Sequence, residues 1–338
     1  MKYFILICLP VLLCPEICNS GNFRVVFYNC ENFFDCADDS LKNDEEYLPG
    51  GLRGWNYTRY EKKQRHVARV LVSIGEWEPP ALVGLCEIEN DRVLKDLTRY
   101  SVMKNLNYRY IHYESDDKRG VDVALLYQPD KFKAISSKPL KIIYPGFSSG
   151  STRDILYVKG LAGFQDSLHV FVCHFPSRLG GEAESDSKRQ FVAGILRKEI
   201  DSIRSRCPEP KIIIMGDFND YPDNVSMQQI LGAVSPEKAV HDSLLINLMF
   251  PLHLQDKGSH KHSGHWGCLD QIIVSRALND TKGLRMSRTE ANIFDAAFLL
   301  EDDKKFLGKQ AFRTYAGFQY TGGYSDHLPV YTCLIFDD

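Results

Sequence analysis

The sequence predicts an α/β protein whose mixed β-sheets share one polar rim. Three observations predict it. The run Ile212-Ile213-Ile214-Met215 leads straight into Gly216-Asp217-Phe218-Asn219; a short apolar stretch closed by glycine reads as a strand buried on both faces. Between residues 23 and 86 a strand pattern, a helix pattern and a second strand pattern alternate, the order of a crossover unit. Residues 108–127 and 155–173 each read as a hairpin, which reverses the chain.

The elements follow in order. From Phe23 to Glu31 the residues alternate, so Phe23, Val25, Phe27, Asn29 and Glu31 share one face and the last two emerge side by side. Thr58-Arg59-Tyr60-Glu61 has the form of a capping box. The helix it opens carries Val67, Val70, Leu71 and Ile74 on one face and closes at Gly75. Ala81 to Cys86 is a second buried strand, ending at Glu87. Tyr108 to Tyr113 ends at Glu114, and Val121 to Tyr127 returns past Asp122. Pro139 to Tyr144 reads as a short strand. Ile155 to Gly160 starts after Arg153, and Leu168 to Cys173 ends at His174. Ser185 to Arg206 is helical, with Val192, Ile195, Leu196 and Ile203 on one face. After the Ile212 strand come Leu269 to Val274, beginning at Asp270, and Leu328 to Phe336, beginning after Ser325-Asp326-His327. Residues 253–266 and 284–324 read as irregular.

The 338-residue chain has 44% hydrophobic and 25% charged residues, ordinary globular values. A net charge of −3 excludes a general basic footprint for nucleic acid. Residues 1–20 have a charged start at Lys2, an apolar core from Tyr3 to Cys14 and small residues before Gly21. This is the pattern of a secretory signal, too short to span a bilayer comfortably. It implies a secreted or periplasmic protein with one domain over residues 21–338, rather than a chain anchored through this segment or through a lipidated Cys14 or Cys18. No later stretch reads as transmembrane. Seven cysteines remain beyond the signal, an odd number with no Cys-x-x-Cys. An oxidising compartment would permit a disulfide such as Cys30–Cys36 but does not demand one.

Glu31, Glu87, Glu114, His174 and Asp217 stand at strand C-termini, whereas Asp122, Arg153, Asp270 and Asp326-His327 stand at strand starts. If the second group runs antiparallel to the first, all of them reach one rim. A single acid at a strand end is usually a solvated turn; nine groups in this pattern are not. Oxygen donors with two histidines, and no thiolate or activated serine, select Mg²⁺, Mn²⁺ or Ca²⁺ over zinc. Spare carboxylates can then orient water, and histidines can pass protons, which is the equipment of metal-assisted phosphoester hydrolysis. Arg153 and Arg178 are the candidate phosphate-side cations, since guanidinium suits bidentate oxyanion contact; Arg119 and Asp122 are further candidates. Tyr315, Phe318, Tyr320 and Tyr324 either rim a pocket or pack on one another, the second being expected. His253, His260, His262 and His265 fit no regular ligand spacing and read as a solvated loop.

Asn29-Cys30-Glu31, Leu85-Cys86-Glu87, His174, Gly216-Asp217-Phe218-Asn219, Leu269-Asp270-Gln271 and Ser325-Asp326-His327, in this order, resemble the endonuclease/exonuclease/phosphatase superfamily of deoxyribonuclease I. The resemblance covers most of the chain after residue 20 and is nearest to secreted or periplasmic bacterial members. It implies a four-layer α/β/β/α sandwich of two packed mixed sheets between helices. It also implies a Mg²⁺ site on Glu87, with Glu31 and Asp326 close by and Asn29 hydrogen-bonding into it. Asp217 would deprotonate the attacking water, Asn219 hold the phosphate, and His327 steady it, oriented by Asp270. His174, supported by Glu114, would assist the leaving group. The substrate is open between nucleic acid, a phospholipid headgroup and a small phosphoester; no obligate protein partner is implied. The reading of a different class is a non-catalytic binding protein on this fold.

Overall fold

The structure is a computed structural model that describes residues 22–144, 152–178, 181–279 and 283–336. The signal-like segment and the three cysteines within it lie outside these residues. Two seven-stranded sheets dominate. In the first, β1 (Asn22–Phe33) lies parallel to β2 (Leu82–Ile88), joined by helix α1 (Tyr57–Gly75). Helix α2 (Asp91–Arg99) follows β2. Beyond β2 run β4 (Asp122–Tyr127) and β3 (Arg109–His112), successively antiparallel. On the other side β20 (Val330–Phe336) runs antiparallel to β1 and carries the short β14 (Leu284–Met286) and β15 (Asn292–Ile293).

The second sheet repeats the scheme. β5 (Phe132–Leu140), β6 (Ile155–Ala162) and β7 (Asp166–His174) form a meander. β7 lies parallel to β8 (Lys211–Asp217) through helix α3 (Glu182–Arg206). β13 (Asp270–Ser275) returns antiparallel to β8 and leads to β10 (Leu245–Asn247) and β9 (Ala233–Val234).

Apolar residues form three layers of core. Phe27, Cys86, Val170, Val172, Met215 and Ile272 meet between the sheets. Val26, Tyr28, Val83 and Leu85 pack under α1 and α2. Phe171, Ile212 and Ile214 pack under α3. The four-layer sandwich is therefore present. It exists because β8 and its neighbours are apolar on both faces and need cover on both.

Several local expectations need correction. Helix α1 is capped by Asn56, whose side chain accepts from the Arg59 amide, and not by Thr58. α2 was not read from the sequence, although Asn90 caps it and Val93, Leu94 and Leu97 bury one side. The edge strand β5 starts at Phe132, earlier than the expected Pro139. The alternation of β1 breaks at its end, where Glu31 and Asn32 take left-handed backbone with φ of 49° and 56°. The regions expected to be irregular contain three small hairpins: β11 (His260–His262) with β12 (His265–Gly267), β16 (Leu300–Asp302) with β17 (Lys309–Ala311), and β18 (Tyr315–Ala316) with β19 (Gln319–Tyr320). Cys30 and Cys36 form no disulfide.

Gly216 fixes how closely β7 and β8 approach. A Cβ there would stand 2.5 Å from the Cys173 carbonyl oxygen and 2.7 Å from its Cβ. The backbone must yield, and Asp217 is the next residue. Gly216→Ala is expected to destabilise by about 1–3 kcal/mol, the usual cost of overpacking, read as a lower urea midpoint at unchanged slope.

Candidate active site

The strand directions bring the polar ends together. β1, β2, β7 and β8 end on the rim where β20, β4, β6 and β13 begin, because each of the latter is antiparallel to a neighbour in the former set. A cavity of about 860 Å³ opens there, lined by Asn29, Glu87, His174, Asp217, Asn219, Asp326 and His327 among others.

Its floor is a buried hydrogen-bond network. Asp217 and Asp270 are cross-strand neighbours. Asn29 Nδ2 donates to Asp217 Oδ2 at 3.0 Å, and the Asn219 amide donates to Oδ1 at 2.9 Å. His327 Nδ1 donates to Asp270 Oδ2 at 2.6 Å, and the Ser259 hydroxyl meets the same oxygen. His327 Nε2 stands 3.8 Å from Asp217 Oδ2. His174 Nε2 lies 3.9 Å from both Asp217 Oδ2 and Glu87 Oε1. Ser325 ties the segment before β20 to β1 of the same sheet, donating to the Asn29 carbonyl and accepting from the His327 amide.

Charge follows from this packing. Burial pushes the Asp217 carboxyl up to about 6, against the pull of His327. Burial would lower His327, but Asp270 and Asp217 outweigh it and hold the imidazole well above its ordinary value. Burial, with Arg153, Arg119 and the charged His327, holds His174 well below its ordinary value. Burial would raise Asp326, yet His327 and Arg313 keep it below the usual carboxylate range. His327 is thus held toward its cationic form and His174 toward its neutral form, a split typical of acid–base pairs.

Three residues of the rim adopt strained left-handed backbone: Asn32, Glu87 (φ 58°) and Asn219 (φ 50°). Pairing on both sides of β2 slips at the same place, between Cys86 and Ile88 and between Asn29 and Phe33. Such bulges re-aim a side chain. Here they let the Asn32 amide donate to Glu87 Oε2 at 2.8 Å. The cavity wall includes the carboxylates of Glu87, Asp217 and Asp326, oxygen donors of the kind a divalent cation takes, while the Asn29 amide oxygen accepts from the Glu31 amide. His260, Asp326 and His327 also bring ligand atoms within 4.8 Å of one another, as do Asp217, Asp270 and His327.

Other expected residues fall elsewhere. Glu31 is buried below the wall, its two oxygens accepting from the Thr314 and Tyr315 amides. It latches the segment that carries Arg313, which in turn pairs with Asp326 at 2.8 Å. Burial, with Asp326, raises Glu31 to about 7. Glu114 is exposed and gives His174 no support; His174 Nδ1 has no hydrogen-bond partner. Arg153 is a buried strut, donating to the Phe175 carbonyl at 2.9 Å and to Asp117. Asp122 is buried beside His112 and outside the lining. Arg178 does line the cavity, braced by the Asn219 carbonyl and stacked over Tyr221. Arg119 lines it too.

The sequence reading missed Arg313, Arg53, Tyr47 and Tyr221, which share the lining, and misplaced two histidines. His260 and His262 lie on β11, and the His260 ring packs 4.5 Å from that of His327. Burial, with the His327 charge, lowers His260 to about 4. The available signal was Ser263-Gly264 between His262 and His265, a two-residue hairpin turn with both φ positive. Tyr315 and Tyr320 pack on each other as expected, but Tyr324 packs instead on His66, Phe298 and Phe312, and Phe318 is exposed beneath Arg53.

The profile of the Endonuclease/Exonuclease/phosphatase family matches residues 24–335. The chain belongs to this family. Its members are phosphoester hydrolases, and the chain is an enzyme of that class. No curated protein matches it in sequence. Among solved structures it resembles Bacteroides thetaiotaomicron mannosyl-6-phosphatase Bt3783 at 16% identity and TM-score 0.58, covering 93% of this chain and 100% of that one. It resembles humanized D. rerio TDP2 at 14% identity and TM-score 0.56, over 93% and 99%. The catalytic domain of human Nocturnin is similar at 15% identity and TM-score 0.54, over 94% and 95%. At these identities the likeness establishes the fold.

The charge of His327 rests on Asp270. In the unaltered protein its ring should stay cationic across neutral pH. In Asp270→Asn the largest raising charge and its hydrogen bond are lost while burial, Asp217 and Asp326 remain, so the ring should titrate lower than in the unaltered protein. Histidine-selective NMR read against pH measures this directly.

Proposed function

We propose that the cavity hydrolyses phosphoesters with a divalent metal, most simply Mg²⁺, held by Glu87 and Asp326. The observation that supports it best is Asp217, buried, doubly hydrogen-bonded and set between two imidazoles of opposite charge state. When bound, the metal would polarise the phosphoryl oxygens and offset their charge. Asp217, pushed up to about 6, is mostly ionised at neutral pH and still basic enough to take a proton from water. Asn29 and the Asn219 amide fix its orientation. His327 presents Nε2–H to a phosphoryl oxygen while Asp270 holds Nδ1. His174, neutral, can take up or return a proton on the leaving-group side. Glu31, Arg153 and Asp122 act through position rather than by touching substrate.

A phosphodiester is the leading substrate class, in nuclease-like chemistry. One observation favours short phosphoesters over long duplexes: the lining arginines are tied to acids, Arg53 to Glu46, Arg178 to Asp220, Arg313 to Asp326 and Arg119 to Asp117. Among the described residues of this lining, no continuous track of cations remains to follow a polyanion. A mannosyl-6-phosphatase and a DNA-bound TDP2 share the fold, so both small and polymeric phosphoesters are fitting probes. The apolar start of the chain supports placing the enzyme outside the cytoplasm, as a single hydrolase domain after signal removal. No helix among the described residues is long and apolar enough to cross a membrane.

The test is a panel of plasmid DNA, bis-aryl phosphate, sphingomyelin, inositol phosphates and sugar phosphates with Mg²⁺ and with chelator. Chelation should abolish turnover. Asp217→Asn should keep the fold and lose at least about 10²-fold in kcat, the usual scale for a lost acid–base group, and Glu87→Gln should keep the fold and lose metal-supported turnover. Activity should rise with pH through about 6 as Asp217 ionises. Near-normal turnover in either variant, or metal-independent turnover, would overturn the reading.

A further inference from the structure

A second polar cluster lies outside the cavity, at the end of the β3–β4 hairpin. His112 closes β3, Asp122 opens β4, and Glu114 lies in the loop between them. One ligand atom from each of the three lies within 4.8 Å of the others. His112 Nε2 and Asp122 Oδ2 are 3.7 Å apart, on side chains only 5% and 2% exposed. That gap is too long for a hydrogen bond, and neither atom has a hydrogen-bond partner. The other carboxylate oxygen, Asp122 Oδ1, is satisfied by the Ser115 amide at 3.1 Å. The unmet atoms are thus the two that face each other across the cluster.

Nearby cations do not fill the gap. Lys42 Nζ donates instead to the carbonyls of Ser115 and Asp117, at 2.6 and 3.0 Å. Burial, the Asp122 charge and a side-chain approach to Asp122 within hydrogen-bonding reach, against the pull of His112, hold the Glu114 carboxyl above its ordinary range. Two carboxyls crowd one imidazole. A buried carboxylate oxygen and ring nitrogen left unmet cost free energy, and one cation between them would satisfy both.

The donor set chooses the cation. One imidazole nitrogen with two carboxylates suits zinc or its transition-metal neighbours, whereas magnesium and calcium prefer oxygen alone. Three protein ligands with a fourth position open is a usual zinc arrangement. Glu114 is exposed and gives the ion a way in. We propose that His112, Glu114 and Asp122 form a zinc-type site separate from the phosphoester cavity. Its ligands come from both strands and their connection, so the ion would clamp the hairpin end. Asp122 is the register partner of Ile88, the residue after Glu87. The clamp therefore braces the bulged backbone on which Glu87 stands.

The test uses the full chain, stripped of metal, with Glu87→Gln and Asp326→Asn to disable the cavity. Zn²⁺ is titrated against a chelating dye. One equivalent should bind. Adding His112→Asn or Asp122→Asn should weaken it at least about tenfold, with circular dichroism unchanged. Glu114→Gln, at an exposed position, should also weaken binding and covers the case in which a buried variant fails to fold. No bound equivalent in the parent, or unchanged affinity in His112→Asn and Glu114→Gln, would overturn the site. Hydrolysis is not read in this experiment, so its outcome is independent of the phosphoester reading.

Discussion

Everything at the rim depends on the direction of eight strands. Two parallel pairs, β1 with β2 and β7 with β8, deliver C-terminal ends to one place, and their antiparallel neighbours begin there. Polar groups separated by up to about 300 residues in sequence thereby become contacts, as with Ser325 and the Asn29 carbonyl. The cost is the burial of several ionisable groups in one region. Unpaired, each would be expensive. The structure meets that cost with opposite charges and amide donors: Asp270 and Asp217 around His327, Asn29 and the Asn219 amide on Asp217, Arg313 on Asp326.

This charge balance also differentiates the two histidines. His327 has a carboxylate on each side and stays cationic. His174 is as deeply buried, and that burial, with the positive charges of Arg153, Arg119 and His327, holds it below its ordinary value although the Asp217 and Glu87 carboxylates stand 3.9 Å from its Nε2. The same residue type thus serves two protonation states within one cavity. Strain is placed on the same rim. Glu87 and Asn219 sit in left-handed backbone that the bulged strands impose, so the side chains are aimed before any ligand arrives. Preorganisation of this kind leaves little to reorganise during reaction.

The rim was legible in the sequence because strand ends are marked twice, once by the apolar run and once by the polar residue that stops it. Asp217, His174, Glu87, Asp270 and His327 were all found that way, and the resemblance to a known family rested on the same residues. What was illegible lay in tertiary detail. Glu31 continues the alternation of β1 on paper, but two left-handed residues turn its carboxylate to the 314–315 amides. Arg153 sits where a phosphate ligand would, yet Asp117 and the Phe175 carbonyl claim it. Arg313 carries no periodic signal, since its place is set by that Glu31 latch. His260 was hidden in a stretch whose hairpin turn, Ser263-Gly264, was passed over.

The proposed chemistry requires a divalent ion at this converged rim. Anomalous diffraction from crystals soaked in Mn²⁺ locates such an ion without reference to activity. A strong peak against the Glu87 and Asp326 carboxylates, with Asp217 and His327 across the same cavity, is the result the account requires. A fully soaked crystal with no peak in that cavity would contradict it.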